Sequence, residues 1–134
     1  MNFLNNIFGG KKIDTFKEQD SKSHINWLPL TSIDQIEEIK ALSKTESILI
    51  FKHSTRCGIS RIVIKQFEGL FTEEYQHLKV YYLDLLNYRN VSNEVANFFQ
   101  VTHESPQLLV IKNTISSYQT SHNEVALVNL SRFI

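Results

Sequence analysis

The residues best suited to chemistry are Cys57 and Ser60, in the run Thr55-Arg56-Cys57-Gly58-Ile59-Ser60. Cys57 is the only cysteine in the chain. It follows the apolar run Ser47 to Lys52, which reads as a buried central strand. It precedes Gly58 to Phe71, where Ile59, Ile62, Val63, Phe67, Leu70 and Phe71 fall at helical spacing. The cysteine is therefore expected at a strand-to-helix junction. A helix N-terminus offers unpaired backbone N–H groups and the positive end of the helix dipole, and both favour a thiolate over a thiol. His53, Arg56 and Arg61 are near enough in sequence to add positive potential, and Gly58 lets a substrate approach closely. In a two-cysteine motif a second thiol would stand where Ser60 is. Serine forms no disulfide, but its hydroxyl can donate a hydrogen bond to a nearby thiolate. The chemistry this leaves is exchange at one sulfur: Cys57 attacks a disulfide, keeps one half and waits for an external thiol.

Other chemistries find less support. A single cysteine makes no internal disulfide and no cysteine-rich zinc site, and a lone thiol fits a reducing cytoplasm. His24, His77, His103 and His122 have no paired ligand spacing, so no metal is expected. A cysteine-phosphatase or arsenate-reductase loop needs arginine six positions after the cysteine, where Val63 stands. There is no glycine-rich phosphate loop. A Cys–His pair for acyl transfer would need a third orienting group, and none is apparent. Arg61 and Lys65 read as solvated helix-face charges, and Asp84 as a structural strand end. With 14 basic and 14 acidic side chains the net charge is zero, which argues against a dedicated nucleic-acid or anionic-membrane binder. Met1 to Lys12 has neither the charged start nor the continuous apolar core of a signal peptide or membrane span.

A chain of 134 residues predicts one domain, at roughly 100–200 residues each. The expected division is an N-terminal extension over 1–23 and a globular domain over 24–134. In the extension, Gly9-Gly10-Lys11-Lys12 reads as a joint. Phe3, Leu4, Ile7 and Phe8 form either a frayed tail or a small docking segment. The globular part starts near Trp27-Leu28-Pro29-Leu30. Helices are expected over Ile33 to Ser43, Gly58 to Phe71 and Asn90 to Phe99, with a last helix capped by Ser121. Strands are expected over Ser47 to Lys52, Leu78 to Leu83, Gln107 to Lys112 and Ile115 to Gln119, the last two joined at Asn113-Thr114. Such alternation favours an α/β fold with a partly parallel sheet. Ser105-Pro106 opens the third strand, where proline is sterically acceptable, and sequence does not set its isomer.

The run Phe51-Lys52-His53-Ser54-Thr55-Arg56-Cys57-Gly58-Ile59-Ser60 resembles the YtxJ-like proteins, the monothiol bacilliredoxins of the bacillithiol system. Trp27, Tyr82-Leu83-Asp84 and Ser105-Pro106-Gln107 also fit, and the resemblance runs from about Ile25 onward. It implies an α/β, thioredoxin-like fold with a central mixed four-stranded sheet flanked by helices. It assigns Cys57 and Ser60 to catalysis, and Thr55, Arg56, Gly58, Ser105 and Pro106 to substrate binding. It further implies a cis-proline at 106 facing Cys57, with Ser105 offering backbone groups to an extended substrate. The function implied is that of a cytoplasmic general stress protein that removes bacillithiol, or a similar small thiol, from S-thiolated proteins. The small thiol would be a co-substrate, with no tightly bound cofactor. A second reading is a non-catalytic thioredoxin-fold binding or stress-response module, with a peptide at Ser105-Pro106 and Cys57 as a redox sensor. Partner binding that survives loss of the thiol would distinguish it.

Overall fold

A computed structural model describes residues 23–134. The glycine joint and the apolar segment through Phe8 lie outside the described residues. From Trp27 onward the chain forms β1 (Trp27–Pro29), α1 (Asp34–Leu42), β2 (Ile48–His53), α2 (Gly58–Glu68), β3 (Lys79–Asp84), α3 (Arg89–Phe99), β4 (Gln107–Lys112) and β5 (Ile115–Ser121). Two short 3-10 segments, His122–Leu127 and Leu130–Phe133, follow.

The five strands make one mixed sheet in the order β1-β3-β2-β4-β5. β1, β3 and β2 run parallel, while β4 pairs antiparallel with β2 and β5 with β4. β2 is central, and every one of its residues is buried. That explains its unbroken apolar sequence: a strand covered on both faces has no solvent side to mark with polar residues. Alternation along β2 still sorts its side chains. Leu49 and Phe51 join the cluster under α2, with Val63, Phe67, Leu108 and Val125. Ile48 and Ile50 join the opposite cluster, with Ile36, Ile39, Val91, Val95 and Leu109. The last two residues of β2 continue the same alternation and are polar: Lys52 and His53, both buried.

Three features differ from the sequence-based expectations. The sheet has five strands rather than four, because Trp27–Pro29 pairs with β3 at the sheet edge. Its three residues carry no readable alternation, and Pro29 is tolerated because an edge strand has an unpaired side. The expected α-helix after Ser121 is instead the pair of 3-10 segments, which still bury Val125, Leu130 and Phe133 against α2 and the sheet. The helix expected to reach Phe71 stops at Glu68, with Gly69 as its C-cap. The β4–β5 turn falls at Asn113-Thr114 as expected. Both residues have positive φ, 53° and 68°, the signature of a type I′ hairpin turn. Ser43 braces it, its carbonyl accepting from Asn113 N at 2.7 Å and its Oγ from Thr114 N at 2.9 Å.

Candidate active site

Cys57 is the N-cap residue of α2. Its backbone is extended (φ −97°, ψ 123°), and its carbonyl accepts from Arg61 N at 3.1 Å to begin the helical ladder. The sulfur thus stands at the end of α2 where backbone N–H groups lack partners within the helix. A tight turn leads in from β2: Cys57 N donates to the Ser54 carbonyl at 3.2 Å, and Arg61 Nη1 donates to the Thr55 carbonyl at 3.4 Å. Cys57 is a free, partly exposed thiol. A Cβ added at Gly58 would meet no atom within 4 Å, so the space beside the cysteine is open.

Ser60 points elsewhere than a thiolate donor would. It is fully buried in the first turn of α2, and its Oγ accepts from Ser54 N at 3.1 Å. The same oxygen lies 2.7 Å from His53 Nδ1. Among the described residues no hydrogen bond joins it to Cys57. The physical reason is competition: two fixed partners at the end of β2 already occupy the hydroxyl. Ser60 therefore ties the start of α2 to the end of β2 and closes the turn that carries the cysteine.

His53 is buried between Phe51 and Tyr82, with ring centroids 6.3 and 5.7 Å away. Burial lowers its pKa, Arg61 lowers it further, and Asp84 and Glu68 oppose. The ring is thus neutral at pH 7. With one proton and two lone pairs, Oγ can accept from Ser54 N–H and still either donate to Nδ1, when Nε2 carries the ring proton, or accept from it, when Nδ1 does. Acid removes that choice, since both nitrogens of the imidazolium donate and each then needs an acceptor. A depressed folded pKa means that the unfolded chain binds the proton more readily. Stability is therefore complete above the ordinary histidine value of about 6.5 and falls as pH drops through the lower folded value. Ser60→Ala is expected to cost about 1–3 kcal/mol by stranding Ser54 N–H and His53 Nδ1, read from urea denaturation. The same titrations at pH 7 and 5 should show the wild type losing stability on acidification, and His53→Gln losing less.

The antiparallel register Lys52↔Gln107 places the segment just before β4 at the same end of the sheet as the turn after β2. Ser105 and Pro106 therefore share that end with Cys57. The Ser105–Pro106 bond is cis. Pro106 is buried, and its carbonyl accepts from His122 N at 2.8 Å. Ser105 Oγ is buried without a hydrogen-bond partner among the described residues. On the other side of the cysteine turn, exposed Thr55 and Arg56 line a cleft of about 390 Å³ together with Leu86 and Asn87. Asp84 shapes that cleft, accepting from Leu86 N and Asn87 N with one oxygen and from Asn87 Nδ2 at 2.7 Å with the other.

The family model described as monothiol bacilliredoxin BrxC matches residues 28–130. The chain belongs to the monothiol bacilliredoxin family. Among solved structures, a thioredoxin-fold oxidoreductase superposes with a TM-score of 0.67 at 28% identity, over 79% of this chain and 91% of that one. Thioredoxin from Trypanosoma brucei brucei superposes at 0.62 with 12% identity, over 78% and 85% of the two chains. The Schistosoma mansoni thioredoxin pre-protein gives 0.62 with 18% identity, over 81% and 99%. The last two speak for the fold alone. A single-cysteine bacilliredoxin with this fold is a thiol-disulfide oxidoreductase.

The structure thus gathers Cys57, Thr55, Arg56, Gly58, Ser105 and Pro106 at one end of the sheet and turns Ser60 inward beneath them. Sequence reading missed Leu86 and Asn87, whose approach to Thr55 and Arg56 depends on the β2–β3 pairing. It also ended the strand at Lys52, whereas His53 is the buried last residue of β2. Two polar residues closing an otherwise apolar run were the available signal. Among the described residues no group of three His, Cys, Asp or Glu side chains could hold a metal ion. No helix among them is long and apolar enough to cross a membrane.

Proposed function

We propose that Cys57 performs monothiol exchange that removes bacillithiol from mixed disulfides on oxidised cytoplasmic proteins. The Cys57 thiolate attacks the small-thiol sulfur of the mixed disulfide. The old S–S bond breaks, and the protein sulfur leaves as a thiolate that takes a proton from water. Cys57 is left disulfide-bonded to the small thiol. A second molecule of small thiol attacks that bond, releasing Cys57 and a symmetrical small-molecule disulfide. Thr55 and Arg56 would seat the small thiol in their cleft, and Ser105-Pro106 would align the protein substrate by its backbone.

The observation that carries this reading is the Ser60 hydroxyl, buried and engaged by His53 and Ser54 N at the place a resolving thiol would occupy. The chain can begin an exchange and cannot complete one internally. The test presents one carrier protein as its bacillithiol and its glutathione mixed disulfide and measures the rate of release from each. Faster release of bacillithiol is expected. Equal rates, or a preference for glutathione, would reject bacillithiol as the co-substrate.

A further inference from the structure

Among the described residues, Lys52 is a buried cation without a balancing carboxylate. Its side chain is fully buried, and among the described residues it takes part in no ion pair. An isolated ammonium is expensive to bury, and a neutral side chain of similar length would serve the core better. What the ammonium touches is therefore informative. Nζ donates to the Ser92 carbonyl on α3 at 3.1 Å and lies 3.2 Å from His103 Nδ1. His103 belongs to the segment between α3 and β4, which ends in Ser105-Pro106. Gln107, the cross-strand partner of Lys52, grips the same segment: Nε2 donates to the Thr102 carbonyl at 3.0 Å, and Oε1 accepts from Glu104 N at 3.4 Å. Two adjacent buried side chains, one on each central strand, thus hold one loop.

We infer that Lys52 is a positioning residue that, through His103, holds the Ser105-Pro106 loop in the geometry that receives protein substrates. This rests on the reading of that loop as the substrate-aligning element. The charges around the contact support it. Burial lowers the Lys52 ammonium to about 8, and His103 is held below the usual histidine range by burial, then Lys52, then Arg89, with Glu104 opposing. From the sheet, the residues paired beside Lys52 are the uncharged Leu83 of β3 and Gln107 of β4. At neutral pH the ammonium donates and the imidazole accepts. Above about 8 the bond loses its charge assistance. In acid His103 protonates, stops accepting and faces a second cation.

The test uses the full chain with Lys52→Met and His103→Ala. Three quantities are read: kcat and KM for a protein mixed disulfide, the rate of Cys57 alkylation by iodoacetamide, and the imidazole titration of His103 by NMR. Both variants are expected to lose about tenfold in kcat/KM, chiefly through KM, the scale on which a misplaced positioning element acts. Alkylation should match wild type, because the sulfur itself is undisturbed. In Lys52→Met, His103 should titrate at higher pH. A variant with wild-type KM, or a His103 titration unmoved by Lys52→Met, would overturn the inference. If wild-type protein shows no exchange, the functional reading fails instead, and the His103 titration still decides whether the pair exists. His103 is exposed, so its variant keeps the test open should Lys52→Met not fold.

Discussion

Cys57→Ser is expected to reduce thiol-disulfide exchange by at least about a thousandfold, the scale on which loss of a covalent nucleophile acts. The chain has no other sulfur nucleophile, since its remaining sulfur is the thioether of a single methionine. A serine hydroxyl at the same N-cap is not ionised near neutral pH and does not attack disulfides. The substitution should leave the fold intact, because Cys57 is partly exposed and makes no side-chain cap hydrogen bond. Serine is a favoured N-cap residue, so thermal stability should hold or rise slightly. The expected pattern is therefore loss of exchange with an unchanged melting curve. Release of a small thiol from a mixed-disulfide substrate, followed beside circular dichroism, checks both halves.

Phe67→Ala is expected to give the opposite pattern: a large loss of stability with exchange retained by whatever remains folded. Phe67 is fully buried where α2 meets the sheet. Its ring centroid lies 5.1 Å from Phe51, 5.2 Å from Phe71 and 6.1 Å from Trp27. Trp27 is fixed in turn by donation from Nε1 to Glu68 Oε2 at 2.7 Å, so β1 and the last turn of α2 share one aromatic anchor. Truncating a buried phenylalanine costs about 3–5 kcal/mol, a large share of the roughly 5–15 kcal/mol that holds a domain together. The melting temperature should fall by on the order of 10 °C or more. Phe67 does not touch the cysteine turn through any hydrogen bond, and Ser60 still pins the start of α2. Below the new transition, kcat/KM for mixed-disulfide exchange should stay within about threefold of wild type, the context scatter ordinarily seen for effects remote from chemistry.

Much of this arrangement was legible in the sequence because local patterns carried it. The apolar run of β2, the helical spacing from Gly58 and the proline before β4 each mark one element, and their order implies the topology. The Cys57 turn was legible for the same reason: it sits between two strongly patterned segments. β1 was not legible, because three edge residues hold no period and gain their structure only from β3. The segment after Ser121 has helix-like apolar spacing, yet its buried residues are met by two 3-10 turns that fit the end of the sheet. That is tertiary packing overriding local propensity.

The roles of polar residues were the least visible. A serine in a first helical turn can face a neighbouring sulfur or the preceding strand, and only the position of His53 decides which. Lys52 looked like an ordinary strand-terminal lysine. Its burial follows from α3 and the loop after it closing over the end of β2, contacts that span 40 residues to Ser92 and 51 to His103. Because the ammonium is charged at neutral pH in both folded and unfolded chains but is penalised only when folded, Lys52→Met should stabilise the protein while impairing it. Stability and function would then diverge at one residue, as expected where a strained or costly group serves binding.

The most direct test of the central claim is the intact mass of the reduced protein after one turnover with excess bacillithiol mixed disulfide and no free thiol. A single stable adduct of one bacillithiol is expected, localised to Cys57, which persists until free thiol is added and then disappears. An unmodified protein after carrier release, or an adduct that forms equally in Cys57→Ser, would contradict it.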